Sequence, residues 1–222
     1  MGDIEVLKSL FKERANKENA ASMEKYMKNH FIFLGIKAPV RRDLMKEFYL
    51  KTGILKKDFY VDFVKEVWRL SEREYQYAAL DYGSKFLRKL DPSHLALLMS
   101  FITSKSWWDT VDPLASNFIG TLASRFPELI EQIDQWAVDE NMWLRRTAIL
   151  FQLKYKGNTD EERLYRNILL NANSKEFFIQ KAMGWTLREY SKTNPESVQM
   201  FIEKNELPRL TIREGSKYLE VD

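Results

Sequence analysis

Cysteine is absent from the 222 residues, and histidine occurs only as His30 and His94. The first absence excludes disulfides and thiolate metal sites. The second would leave a catalytic zinc resting mainly on carboxylates, so no metal is expected. No apolar run approaches the roughly 20 residues that cross a bilayer, and no membrane role is expected. Residues 1–19 carry charges throughout and hold no apolar stretch of the kind a secretory signal needs, which makes the cytoplasm the expected compartment. Glycine and proline number only 8 and 6, with no linker rich in either, so one domain spanning 1–222 is expected. No phosphate-cradling glycine loop is present. The expectation is a monomer that needs no cofactor.

What the sequence has is helix-forming material. It is 45% hydrophobic and 30% charged, with a net charge of only +3. That balance argues against blanket histone-like binding. It still allows a phosphate backbone to be gripped where Lys and Arg gather on one face. Apolar residues recur at helical spacing in Phe59–Leu70, His94–Phe101 and Ala148–Tyr155. Breaks fall at Gly35, Thr52-Gly53, Asp91-Pro92, Gly157-Asn158 and Thr193-Asn194-Pro195. Asp91 and Asn194, each followed by proline, have the chemistry of helix N-caps. Alternating patterns long enough for a sheet are missing, so the expected class is all-α.

Four helical stretches share a small residue flanked by aromatics: REYQYAALDYG, WWDTVDPLASNF, MWLRRTAILFQ and FFIQKAMGWTL. Anchored on Ala79, Ala115, Ala148 and Ala182, they repeat at intervals of 36, 33 and 34 residues, with a weaker copy near Gly215-Ser216. Each interval leaves room for one further helix. Two-helix units of this size bury their apolar faces only by stacking, which predicts an α-solenoid curved into a C-shape with a concave face. Most such scaffolds bind proteins or peptides, and a fold alone does not name a function.

Three motifs point elsewhere. In Ser106-Trp107-Trp108-Asp109-Thr110-Val111-Asp112, Trp108 and Asp112 are one helical turn apart and share a face. An aromatic plane beside a carboxylate suits a flat cationic substrate. Asp109 sits where a first-turn acid belongs. In Trp143-Leu144-Arg145-Arg146, two arginines stand near a helix start, where the macrodipole prefers acids; they fit either a bound phosphate or an inter-repeat salt bridge. In Phe177–Trp185, the aromatic three residues past the anchor makes Trp185 part of the same stripe as Tyr82, Phe118 and Phe151. Gly184 beside it implies a close approach by a neighbouring helix or a ligand.

These stretches, together with Lys25–Phe31 and Leu34-Gly35-Ile36, resemble the AlkD-type bacterial DNA alkylation-repair glycosylases, and the similarity runs over nearly the whole chain. The resemblance implies HEAT-like two-helix repeats that grip duplex DNA in a concave basic groove. It implies hydrolysis of the N-glycosidic bond of purines alkylated at N3 or N7, leaving an abasic site and the free base, as in base excision repair. Its functional residues fall on Trp108, Asp112, Arg146 and Trp185, which places Trp185 in the cleft, with Tyr26 also at the cleft. Arg145 stands where an uncharged polar residue is expected. Expected DNA contacts are Tyr26, Lys28, Arg41, Arg42, Lys105, Arg145, Lys181 and Arg188. The competing expectation is a non-catalytic α-solenoid that binds DNA or a protein partner in its groove.

Overall fold

In a computed structural model, which describes residues 2–219, every regular element is helical among the described residues. The chain divides into two compact units, one up to Lys89 and one from Leu90 onward. The first holds α1 (Asp3–Glu13), α2 (Lys17–Tyr26), α3 (Ala38–Thr52), α4 (Val61–Arg69) and α5 (Arg73–Gly83). The second holds α6 (Leu95–Thr103), α7 (Trp108–Pro113), α8 (Gly120–Arg125), α9 (Ile130–Gln135), α10 (Met142–Leu150), α11 (Glu161–Leu169), α12 (Phe177–Tyr190), α13 (Pro195–Lys204) and α14 (Arg209–Gly215). One π-helical turn, Leu114–Ile119, joins α7 to α8.

The breaks predicted from sequence are real, and their chemistry is visible. Asn194 accepts a bond from the Ser197 amide at 3.2 Å at the start of α13; Asn16, which the sequence did not mark as a break, does the same for the Asn19 amide at 2.9 Å at the start of α2. Asp91 caps the short 3-10 turn Pro92–His94 that leads into α6. Gly53 closes α3 in the left-handed region, at φ +61°. One boundary differs. The apolar pattern extends to Tyr155, yet α10 ends at Leu150, because the Leu153 amide bonds the Leu150 carbonyl three residues back (2.9 Å) and tightens the chain into a turn.

In the first unit, aromatics fill the core: Phe11 stacks on Tyr75 and Phe48 on Phe63, each pair with centroids 5.5 Å apart. Glu74 lies fully buried at the start of α5. It is tolerated there because its oxygens accept three backbone N–H groups, from Leu34 (3.0 Å), Gly35 (2.8 Å) and Ile36 (3.0 Å). Gly35 must be glycine: its φ is +84°, and a Cβ would lie 1.9 Å from the Asn16 carbonyl oxygen. Arg73, also buried, lays its guanidinium 3.8 Å over the Phe31 ring. Together these contacts fix the loop between α2 and α3.

In the second unit the repeat anchors Ala115, Ala148 and Ala182 are all buried. The π turn makes α7 and α8 one run, and one helix intervenes between that run and α10, namely α9, and one between α10 and α12, namely α11. The anchor-bearing segments pack against one another in order: the π turn on α10, α10 on α12, and α12 on α14. Gly184 permits the last of these. A Cβ there would stand 2.6 Å from Glu214 Cβ and 2.9 Å from the Thr211 carbonyl oxygen, so what approaches Gly184 is a neighbouring helix.

Replacing Glu74 with Leu leaves the buried Gly35 and Ile36 N–H groups and the half-buried Leu34 N–H without their acceptor, at about 1–3 kcal/mol for each buried unmet group. Urea unfolding at neutral pH should show a loss on the order of 3–5 kcal/mol. An effect no larger than that of exposed Glu47→Leu would overturn this role for Glu74.

Candidate functional site

Trp107 occupies the N-cap position of α7, and Asp109 stands in its first turn, the place where an acid meets the positive end of the helix dipole. Trp108 and Asp112 follow on one face. Pro113 ends the normal ladder because it has no N–H to donate, and the chain widens into the π turn. The Ser116 hydroxyl donates to the Asp112 backbone carbonyl at 2.9 Å and ties the turn back to the residue that bears the carboxylate.

Asp112 is only 8% exposed and Arg146, in α10, only 4%. The two meet as a fork: Arg146 Nε donates to Asp112 Oδ1 at 2.7 Å, and Nη2 donates to Oδ2 at 2.8 Å. Nη1 donates to the backbone carbonyl of Phe178 in α12. Arg146 thus spends three of its five N–H bonds inside the protein, leaving two for anything in the cavity. Burial pushes the Asp112 carboxyl above the usual aspartate range; the two bonds and the charge of Arg146 pull it back, and Asp109 adds a smaller upward push. Arg145 faces away from Asp112, its Nη1 donating to the carbonyls of Asp139 (2.6 Å) and Glu140 (3.1 Å).

Around the fork lies a cavity of about 350 Å³ lined by Trp108, Asp112, Arg146 and Trp185, with Phe177, Phe178, Lys181, Arg188 and Glu214 completing its wall. The four residues singled out for chemistry therefore share one cavity. Trp185 belongs to both of its sequence readings, since it lines the cavity and also packs, half-buried, on the core cluster of Ala182 and Leu187. Beneath the fork, Trp107, Trp143 and Phe178 from the starts of α7, α10 and α12 form an aromatic triad with centroids 4.9–5.9 Å apart. A larger cavity of about 550 Å³ in the same unit, lined by Asn117, Thr121, Lys154 and Tyr155 among others, contains no carboxylate. The four residues expected to carry chemistry line the smaller one.

The other expected DNA contacts are placed as follows. Lys181 and Arg188 stand in the cavity wall, both within reach of Glu214. Lys105, just ahead of α7, adopts φ +49°. In the first unit Tyr26 is 72% exposed at the end of α2, Lys28 adopts φ +54°, Arg42 is exposed, and Arg41 pairs with Asp81 at 2.9 Å. Sequence reasoning missed Glu214 as a wall residue, and it missed the Phe178 carbonyl. The signal for Glu214 was its place beside Gly215, in the weak last copy of the repeat. Among the described residues no group of three or more His, Asp or Glu side chains is placed to hold a metal ion, and no helix is long and apolar enough to cross a membrane.

The family model described as DNA alkylation repair enzyme matches residues 7–219. The chain is similar to a solved structure described as a predicted DNA alkylation repair enzyme from Enterococcus faecalis, at 34% identity and a TM-score of 0.84, covering 94% of this chain and 98% of the other. A second structure, smu.31 from Streptococcus mutans UA159, shares the fold at 18% identity and a TM-score of 0.59, covering 81% of this chain and 98% of that one. No curated protein matches the chain significantly.

Removing one partner of a buried ion pair typically costs about 3–5 kcal/mol, whereas replacing both by apolar groups is often near neutral. Arg146→Met should therefore destabilise the protein by that order, and Asp112→Leu added to it should restore much of the loss. The single variant's deficit should also depend on pH. With burial unopposed, the Asp112 pKa rises further above its unfolded value, so the protonated form is favoured in the fold. Stability is then retained in acid and lost as pH rises through the raised pKa. Denaturant midpoints measured from about pH 4 to pH 8 test this. A deficit that does not change with pH overturns it.

Proposed function

The chain belongs to the family of DNA alkylation repair enzymes, and on that premise we propose that it is a monofunctional DNA glycosylase that releases cationic N3- or N7-alkylated purines from duplex DNA. The observation that carries the reading is the forked Asp112–Arg146 pair in a cavity walled by Trp108 and Trp185.

An alkylated purine of this kind already bears a positive charge, so it departs as a neutral base and no strong general acid is required. What the reaction needs is an anion near C1′ while the sugar takes on oxocarbenium character, and a water to complete hydrolysis. Asp112 supplies both: its carboxylate stabilises the developing charge and accepts a proton from the attacking water. Arg146 opposes the effect of burial on that carboxylate and aims it. The indole faces of Trp108 and Trp185 attract the cationic nucleotide. Lys181 and Arg188, and in the first unit Lys28 and Arg42, are matched to backbone phosphates, which position the duplex without reading its sequence. The lysine of the cavity wall, Lys181, is held 3.1 Å from Glu214 and is assigned to a phosphate contact, not to a Schiff base, so the products are an abasic site and free base. The protein works as a monomer and without a cofactor.

The test is single-turnover release of 7-methylguanine or 3-methyladenine from methylated duplex. Asp112→Asn leaves the buried Arg146 charge without its anion and should lower stability by a few kcal/mol, about 3–5 at most; the folded protein should keep most of its duplex affinity while release slows by about 10²–10³, the usual effect of deleting one preorganised electrostatic group. Asp109→Asn should cost stability more than rate. Unchanged release in Asp112→Asn would end the glycosylase reading. So would a catalytically dead, thermally intact Asp109→Asn.

A further inference from the structure

The proposed chemistry leaves one carboxylate of the cavity wall unused. The side chain of Glu214, in α14, is only 7% exposed, yet it carries more cations than a buried anion requires. Its Oε2 accepts from Lys217 Nζ at 2.7 Å and from Arg188 Nη1 at 3.5 Å. Its Oε1 lies 3.1 Å from Lys181 Nζ and 3.8 Å from Arg213 Nη2. This company holds the carboxyl at about 2, with the Lys217 bond the largest contribution, so it is ionised at any pH at which the protein works.

The arrangement is layered, with the anion at the bottom and the cations facing outward. Lys181, Lys217 and Arg213 are 38%, 45% and 72% exposed. One cation would satisfy a buried carboxylate; four leave an excess of three positive charges at the surface, and stability alone does not explain that excess. Two of the four, Lys181 and Arg188, line the same cavity as Asp112. Lysine and arginine side chains are long and mobile, and an anion must order them before they can bind it together. A buried carboxylate that already draws them to one point removes much of that demand. The close seat of Glu214 on Gly184, where no Cβ would fit, fixes the carboxylate against α12 itself.

We propose that Glu214 is a positioning residue that gathers Lys181, Arg188 and Lys217 into a preformed subsite for a backbone phosphate of duplex DNA beside the Asp112 cavity. The proposal rests on the reading of the protein as a duplex-binding repair enzyme.

Simple charge counting and the positioning role predict opposite signs for Glu214→Gln. The substitution removes a negative charge, so charge counting expects tighter duplex binding and a steeper salt dependence. Positioning expects weaker binding, by about tenfold near 0.1 M salt, and a salt slope smaller by about one, because a phosphate contact is lost although positive charge is gained. Fluorescence anisotropy with undamaged duplex over a salt series reads both quantities, and thermal melting checks the fold. Should Glu214→Gln not fold, Lys217→Gln at its exposed position carries the test, with an expected loss of about threefold and a shallower slope; unchanged binding overturns the proposal. Inorganic phosphate should displace duplex no better than chloride at equal ionic strength. Better displacement would mean a site for free phosphate and would overturn the backbone assignment. Because undamaged duplex needs no base release, the two readings fail separately. A wild-type protein that excises base, with a Glu214→Gln variant that binds duplex as tightly or more tightly, sinks the subsite alone. A wild-type protein that releases no base, with a Glu214→Gln variant that loses affinity, sinks the glycosylase reading and supports the subsite. A wild-type protein with no duplex affinity overturns both.

Discussion

Taking the Asp112 carboxylate out of water costs free energy that the paired bonds of Arg146 offset, and much of the second unit is arranged around that constraint. The guanidinium reaches Asp112 on α7 with two N–H groups and the Phe178 carbonyl on α12 with a third. One side chain on α10 therefore links three successive anchor-bearing segments at one level of the stack. The aromatic triad of Trp107, Trp143 and Phe178 lies next to it, drawn from the same three helix starts. Apolar packing brings the helix starts together, and the fork sets their register. In a low-dielectric surrounding the directional bonds of a guanidinium tolerate little displacement, so the geometry offered to a substrate is fixed before it arrives.

Two backbone irregularities make room for this arrangement. Pro113 withholds an N–H directly after Asp112, and the π turn that follows absorbs one extra residue per turn within an otherwise helical run. The Ser116 hydroxyl donates to the Asp112 carbonyl, at the point where the π turn shifts the backbone ladder from its usual partners. Further along, Gly184 lets α14 close on α12 until Glu214 enters the cavity wall. Both devices bring polar side chains to a place where regular helix packing would have put apolar ones.

Much of this was legible in the sequence because it depends on spacing along one helix or on local chemistry. The alanine anchors are buried, one helix lies between successive anchors, the Asx-Pro breaks cap the next helix, and Trp108 and Asp112 share a face. What escaped depends on relations between helices. Asp112 and Arg146 are separated by 34 residues, and no periodicity tells whether an arginine at a helix start turns to a carboxylate or waits for a phosphate. Trp185 fitted a core stripe and a cleft wall equally well because a ring of that size reaches both. The early end of α10 and the π turn each shift the helical phase by about one residue, which an apolar pattern does not register. Nothing in the sequence marks Glu74 or Glu214 as buried, because the partners of Glu74 come from a distant loop and two of those of Glu214, Lys181 and Arg188, from another helix.

The three buried carboxylates show how one charge type is turned to different uses by its neighbours. Glu74 is held by backbone N–H groups alone, which suits an anchor for a loop: such donors cannot be titrated or exchanged for a ligand. Glu214 is held by mobile cations in excess, so its charge is permanent and its neighbours remain able to turn toward an incoming anion. Asp112 has a single guanidinium, and burial moves its pKa up, while the several cations around Glu214 hold that carboxyl at about 2. Where two acids in one cavity are driven apart in this way, their roles separate. The one driven down serves as fixed electrostatics. The one driven up is the acid whose charge depends on its surroundings, and it is the group that can respond to a positive charge developing at its own face. In the proposed function, that division sets the reacting sugar against Asp112 and the phosphate backbone against the cations around Glu214, which line one cavity.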